Sequence, residues 1–167
     1  MPTFYEFSAS RLMPVPVSAV WAVASNPRRN AEWCNNVQRV TRADHRLEVG
    51  QSFEERSVVL GPWTSITTWT LLSSDHHRER TFTGKGFPGV SEVRPFLRFQ
   101  PMLDPSGAEH THVTYGSSLG LPFKGFNRIA ARLLKGMLVA EFTTSLAGLE
   151  QLAARQAVAS NRSGDAA

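Results

Sequence analysis

Nothing constrains this chain more than its C-terminal third, where Phe123 to about Gln156 carries one helical pattern with no proline inside it. Ile129, Leu133, Met137, Ala140 and Thr144 fall on one side, with Leu134, Leu138, Ser145, Leu149 and Leu152 beside them, so the expected apolar face is wide. At about 1.5 Å per residue the helix is ~50 Å long, enough to cross a whole domain of this size. A face of that length can be buried only against an equally extended partner, which the preceding residues have to supply.

They supply strands. Turn signals at Val49-Gly50, Gly61-Pro62, Ser73-Ser74-Asp75, Gly84 to Gly89 and Asp104-Pro105-Ser106-Gly107 divide the middle of the chain. Six antiparallel strands are predicted between them, over 37–46, 52–60, 63–73, 78–86, 90–103 and 109–119. Thr3 to Met13, which mixes Phe4, Tyr5 and Phe7 with polar residues, reads as a first strand ended by Pro14 and Pro16. Pro16 also suits the first turn of a helix, where its missing N–H costs little. In VSAVWAVASNPRRNAEW, a short amphipathic helix around Val20-Trp21 stops at Asn26-Pro27. Asn26 is positioned to cap a second short helix that ends at Trp33. The predicted fold is α+β: a curved antiparallel sheet of about seven strands wrapped around a long C-terminal helix, with two short helices after strand 1. Residues 1–156 form one expected domain, and the small, polar stretch 157–167 is expected to be disordered.

Composition removes several function classes. At 167 residues and 41% hydrophobic content the chain can bury a real core unaided. No run approaches the ~18 apolar residues of a membrane span, so no stable membrane insertion is expected. The start, MPTFYEFSASRLM, lacks a basic region followed by an apolar one, and a cytoplasmic location is expected. The single Cys34 excludes an internal disulfide and a cysteine-cluster metal site, and reads as a small buried side chain beside Trp33. Net charge is +4, from arginines scattered over the length. The nearest approach to a basic stripe, Lys124, Arg128, Arg132 and Lys135, reads as the solvated face of the long helix, so no nucleic-acid partner is expected.

Local motifs are equally restrictive. His110-x-His112 has a zinc-compatible spacing, but its register turns it outward beside a turn, and His76-His77 lies in a turn; no metal site is expected. Gly84-Lys85-Gly86-Phe87-Pro88-Gly89 lacks the placement of a phosphate loop, and no cofactor is expected. Glu54 and Glu55 point to opposite faces of one strand.

A bent sheet cannot close fully onto a straight helix, so the middle of this architecture is where a cavity is expected. Small residues on the helix, including Gly136, Ala140 and Gly148, either leave that space or permit close helix contact, and both readings stand at this point. Period-two alternation anchored on Phe53, Trp69, Phe82, Phe99 and Val113 turns Glu55, Arg80 and Tyr115 inward as well. Trp33, Trp69 and Tyr115 would supply flat aromatic walls. An arginine in an apolar concavity cannot shed its charge. Arg80 therefore pairs with Glu55, is turned outward by a bulge, or orients a carboxylate, enolate or phenol oxygen of a ligand. Glu141 on the long helix either reaches the cavity or, beside Phe142, is a surface or rim charge, and the second reading is preferred.

The order of strand, Val-Trp helix, polar-Pro break and Trp33 resembles the SRPBCC superfamily of START-related helix-grip proteins. Within it the chain is similar to the polyketide cyclase/dehydrase-like family, over roughly residues 4 to 152. The resemblance implies a hydrophobic or aromatic small molecule held between sheet and helix. In the aromatase/cyclase-like subset it implies cofactor-free aldol cyclisation and dehydration, with Arg80 and Tyr115 as candidates to position enolates and move protons. Two alternatives stand beside it: a non-catalytic lipid or metabolite carrier or sensor, and an accessory protein that binds a partner, with Gly84 to Pro95 as a mobile lip.

Overall fold

The computed structural model describes residues 3–60, 63–85, 90–121 and 128–164. Strand β1 (Thr3–Met13) leads through Pro14-Val15-Pro16 into helix α1 (Val17–Ala24). Pro16 sits at the N-cap in extended geometry, and its carbonyl accepts the Ala19 amide at 3.1 Å. A 3-10 turn, Pro27–Arg29, then joins α1 to the short helix α2 (Asn30–Trp33). The Asn26 side chain accepts the Arg28 amide at 3.1 Å, so the expected cap exists, at the 3-10 turn that precedes the second helix.

Six strands follow: β2 (Val37–Thr41), β3 (Ser52–Leu60), β4 (Trp63–Asp75), β5 (Glu79–Lys85), β6 (Glu92–Leu103) and β7 (Glu109–Leu121). They form an antiparallel meander that β1 completes by pairing with β7, giving a seven-stranded sheet in the order β1-β7-β6-β5-β4-β3-β2. The long helix α3 (Arg128–Gly164) closes the helix-grip fold. The expected start of this helix at Phe123, the turn Gly61-Pro62 and much of the expected lip, Gly86 to Gly89, lie outside the described residues. At its other end α3 continues to Gly164, well beyond Gln156, where helix was expected to give way to a disordered tail.

The helix does not use its apolar residues uniformly. Ser145, Leu146, Leu149 and Ala153 are buried, and the last three pack with Met13, Val20, Val23 and Val113 into a core beneath the C-terminal half of α3. Leu133 and Met137, expected on the buried face, are 66% and 52% exposed, and Ala140 and Thr144 are exposed too. The reason is architectural: this half of α3 borders the open cavity and meets the sheet through Leu134, Leu138 and Phe142, which pack with Phe7, Val93 and Leu119, while the other half rests on α1 and β1. Helix glycines divide the same way. A Cβ on Gly136 would meet nothing, whereas one on Gly148 would lie 3.0 Å from the Trp33 carbonyl oxygen, so only Gly148 serves close packing.

Candidate functional site

The cavity bordered by this half of α3 measures about 860 Å³ and lies between α3, α2 and the concave face of the sheet. Its floor follows rows of paired residues across the strands. One row runs Phe53, Trp69, Gly84, Val93, Leu119 from β3 to β7. Another runs Arg80, Leu97, Tyr115 and ends at Ala9 of β1. Strand spacing of ~4.8 Å therefore sets Arg80 and Tyr115 about 10 Å apart, with Leu97 between them.

Trp33, Phe53, Glu55, Trp69, Arg80, Phe82 and Tyr115 all line this cavity. Phe99 does not: it packs edge-on to Trp21 at 5.3 Å in the core beyond Arg80, two residues too far along its strand to reach the space. Trp63 also lines the cavity, at its mouth, and is 76% exposed.

Neither of the two inward charges pairs with the other. Arg80 is only 2% exposed, and the register shift between Leu71 and Ser73 falls in β4 opposite Phe82 and Thr81, so no bulge turns Arg80 outward. Its Nη1 donates to the carbonyls of Ala24 and Ser25, at 3.3 and 2.8 Å, and so caps the C-terminus of α1, where cations are favoured. Its guanidinium carbon lies 5.1 Å from the centre of the Phe82 ring. Burial lowers its pKa to about 10, which leaves it cationic at neutral pH. Glu55 is held by neutral donors instead: Asn30 Nδ2 at 3.4 Å, Ser57 Oγ at 3.3 Å and the side chain of Trp69. Burial outweighs these bonds and raises its pKa above the ordinary carboxyl range.

On the opposite wall, Tyr115 meets Trp33 and Phe142 edge-on at 5.4 and 4.8 Å and shares a side-chain hydrogen bond with Cys34. Burial first, and then the neighbouring acidic groups, push both the phenol and the thiol well up in pKa, so both stay protonated at neutral pH. Glu141, for which a surface or rim position was the preferred of two readings, lines the cavity. Its carboxylate accepts the Asn36 amide and Asn35 Nδ2, both at 3.0 Å, and fastens α3 to the loop before β2. The available signal was its spacing: Glu141 stands four residues before Ser145, whose hydroxyl donates to it at 3.3 Å and accepts the Asn35 amide at 3.0 Å.

Three of the residues that line the cavity hold a buried polar atom with no hydrogen-bond partner among the described residues: Trp33 Nε1, Arg80 Nε and Ser117 Oγ. Two of these can only donate. A separate depression bounded by Arg28, Arg42 and Asp44 shares no residue with the cavity. Its arginines are already engaged, Arg28 with the Ala43 carbonyl and Arg42 with Glu54. His76 and His77 stack on each other and cover Trp21 edge-on, a packing role beyond the solvated turn expected of them. Among the described residues no three His, Cys, Asp or Glu side chains converge as a metal site.

Residues 5–154 match the family model described as polyketide cyclase / dehydrase and lipid transport. Solved structures with the same fold include TTHA0849 from Thermus thermophilus, with a TM-score of 0.70 and 16% identity over 90% of this chain and 98% of that one. The ZhuI aromatase/cyclase from Streptomyces sp. R1128 gives 0.69 and 17% over 92% and 96%. The di-domain ARO/CYC BexL from the BE-7585A biosynthetic pathway gives 0.65 and 13%, over 92% of this chain and 50% of that one. At these identities the likeness establishes the fold alone. No curated protein matches the chain.

Proposed function

Because the chain belongs to the polyketide cyclase / dehydrase and lipid transport family, we propose that it binds a hydrophobic or aromatic small molecule carrying at least one acceptor oxygen, in the cavity between sheet and α3. The observation that carries this reading is a cavity of about 860 Å³ with a largely apolar and aromatic lining, in which Trp33, Arg80 and Ser117 each hold a buried polar atom without a partner among the described residues. Leaving a buried donor unpaired costs about 1–3 kcal/mol, and a small rotation of Trp33 or Arg80 that brings its donor to a carbonyl, phenol or carboxylate oxygen of the guest removes that cost. The volume is within the ~300–1,000 Å³ range of sites for drug-sized ligands. Arg80 favours a guest with negative or developing negative charge, and the rings of Trp33, Trp69 and Tyr115 match a flat one.

A second reading, cofactor-independent cyclase or dehydratase chemistry, is favoured by Glu55. A cavity-wall carboxyl with a raised pKa can take a proton from a carbon next to a carbonyl and return it to a departing hydroxyl, so that water leaves and a double bond forms. Without such turnover the same cavity describes a carrier or sensor.

Native mass spectrometry of gently purified protein, followed by solvent extraction of any added mass, tests the binding reading. The expected result is a retained apolar compound bearing oxygen. A clean mass together with no fluorescence gain from anilinonaphthalene sulfonate would remove the cavity as a binding site. Incubation with the extracted compound then separates enzyme from carrier by whether its mass or absorbance changes.

A further inference from the structure

We propose that His76 and His77 form an acid-sensitive clasp that holds the C-terminal turn of α1 against the sheet and, when both imidazoles are charged, lets that turn loosen and the cavity release its guest. The two rings lie in the turn between β4 and β5 and stack 3.8 Å apart, with 27° between their planes. Both also stand steeply against Trp21 of α1, at 5.1 and 5.7 Å between centres. Two rings that stack on each other and lie almost equally near a third stand side by side against it, so together they cover the indole. His77 reaches this position with φ at 62°, in the left-handed region that most residues other than glycine avoid. The same hairpin grips α1 a second time: Arg80 donates to the carbonyls of Ala24 and Ser25 and lies 6.0 Å from the Trp21 ring. Ala24, and after it Pro27, Asn30 and Trp33, border the cavity, so what holds this turn also holds a cavity wall.

Charge decides when the clasp holds. His76 is exposed and His77 half-buried, so protons reach both. A single imidazolium against an indole is favourable. A second one, 3.8 Å from the first, is repelled by it and by Arg80 on the same indole. Nothing nearby offsets that repulsion. Helix α1 carries no titratable side chain. Strand β6 brings Arg98, whose Nε donates to Glu79 at 2.9 Å. The hairpin itself brings Asp75, Arg78, Glu79 and Arg80, and among the described residues no hydrogen bond or ion pair reaches either imidazole. Burial first, and then His76, lower the pKa of His77. Between that folded value and the ordinary one of about 6.5 the unfolded chain holds more protons, so the stability of the clasp is present at neutral pH and falls as pH drops through this window. The titration belongs to the pair rather than to either ring. The release of a guest rests on the binding reading, whereas the clasp rests on the ring geometry alone.

The test is hydrogen exchange of the intact protein at about pH 7.5 and about pH 5, read by mass spectrometry and corrected for the intrinsic effect of pH. In the wild type, protection of residues 17–25 is expected to fall about 10-fold or more at the acidic pH, while β6 and β7 keep theirs. His76→Phe keeps a ring against Trp21 and leaves one imidazole, so its α1 is expected to stay protected at both pH values. His77→Asn, which tolerates the left-handed backbone, opens the clasp and is expected to lower protection equally at both. Release of the neutral probe phenylnaphthylamine, measured in a Glu55→Gln background that silences the cavity's own carboxyl, is expected to quicken about 5-fold or more on the same acid step, and to stay constant once His76→Phe is added. Equal α1 protection in the wild type at both pH values overturns the proposal. An acid-dependent loss that His76→Phe retains equally overturns it, because Glu55, His45, His110 or His112 would then be the source. Loosening of α1 with unchanged probe release overturns the control of the cavity. A protein that takes up no probe at either pH refutes the binding reading instead, and the exchange data then decide the clasp.

Discussion

Arg80 on β5 donates to the Ser25 carbonyl at 2.8 Å, tying the cavity floor to the end of α1, while its buried Nε has no hydrogen-bond partner among the described residues. One side chain thus has a bonded half and an unpartnered half. Replacing it by an apolar residue removes the cost of burying a cation and orphans the carbonyls of Ala24 and Ser25, effects of opposite sign. Arg80→Leu is therefore expected to move stability by only about 1–2 kcal/mol, and to lower affinity for anilinonaphthalene sulfonate at least ~10-fold, the loss of one charge-assisted bond. Fluorescence titration beside the neutral phenylnaphthylamine reads this directly. Equal losses for the two probes would assign Arg80 to packing alone.

Glu55 makes stability depend on pH. Its folded pKa is raised by burial, so between the ordinary carboxyl pKa and the raised one the folded state holds more protons than the unfolded state. Stability is then fully present at acidic pH and falls as pH rises through the folded value. Glu55→Gln, which keeps the shape and discards the titration, is expected to raise the melting temperature at neutral and mildly alkaline pH and to change little near pH 4, about where the unfolded group titrates. Melting curves across that range check the sign, and a variant destabilised most at alkaline pH would contradict it.

The two helix glycines separate packing from vacancy. Gly136 faces open space, so Gly136→Ala is expected to stabilise by about 0.5–1 kcal/mol through helix propensity and a less flexible unfolded chain. A Cβ on Gly148 would stand 3.0 Å from the Trp33 oxygen and 3.2 Å from its Cα, both backbone atoms that move only if α2 moves. Gly148→Ala is expected to lose more than the ~1 kcal/mol that the helix gains. Urea denaturation of the two variants should give opposite signs.

Strand positions were legible in the sequence because alternation and turn residues are local signals. Phe53, Trp69, Phe82 and Arg80 all face the side their register implied. Phe99 obeyed the same alternation and still missed the cavity, since alternation gives the face of a strand and not the position along it. The wide helix face misled for a related reason: Leu133 and Met137 have apolar spacing, but which stretch of α3 is covered depends on where the sheet bends. Glu141 is legible only in part, because its partners Asn35 and Asn36 lie more than a hundred residues earlier.

Gly84 offers a way to close the cavity from below. It pairs with Trp69 across β4 and β5, and a Cβ there would lie 2.5 Å from Cε3 and Cζ3 of the indole and 3.2 Å from Thr67 Cγ2. The backbone of a central strand resists displacement, whereas Trp69 borders unfilled volume, so the ring yields toward the cavity. Its side-chain bond to Glu55 is disturbed in the same movement. Gly84→Ala is therefore expected to destabilise by about 1–3 kcal/mol and to lower probe affinity through lost volume. Adding Trp69→Phe removes the atoms that collide and should restore part of both, giving a non-additive double-mutant cycle. Strictly additive losses in stability and affinity would mean that the indole does not take up the strain.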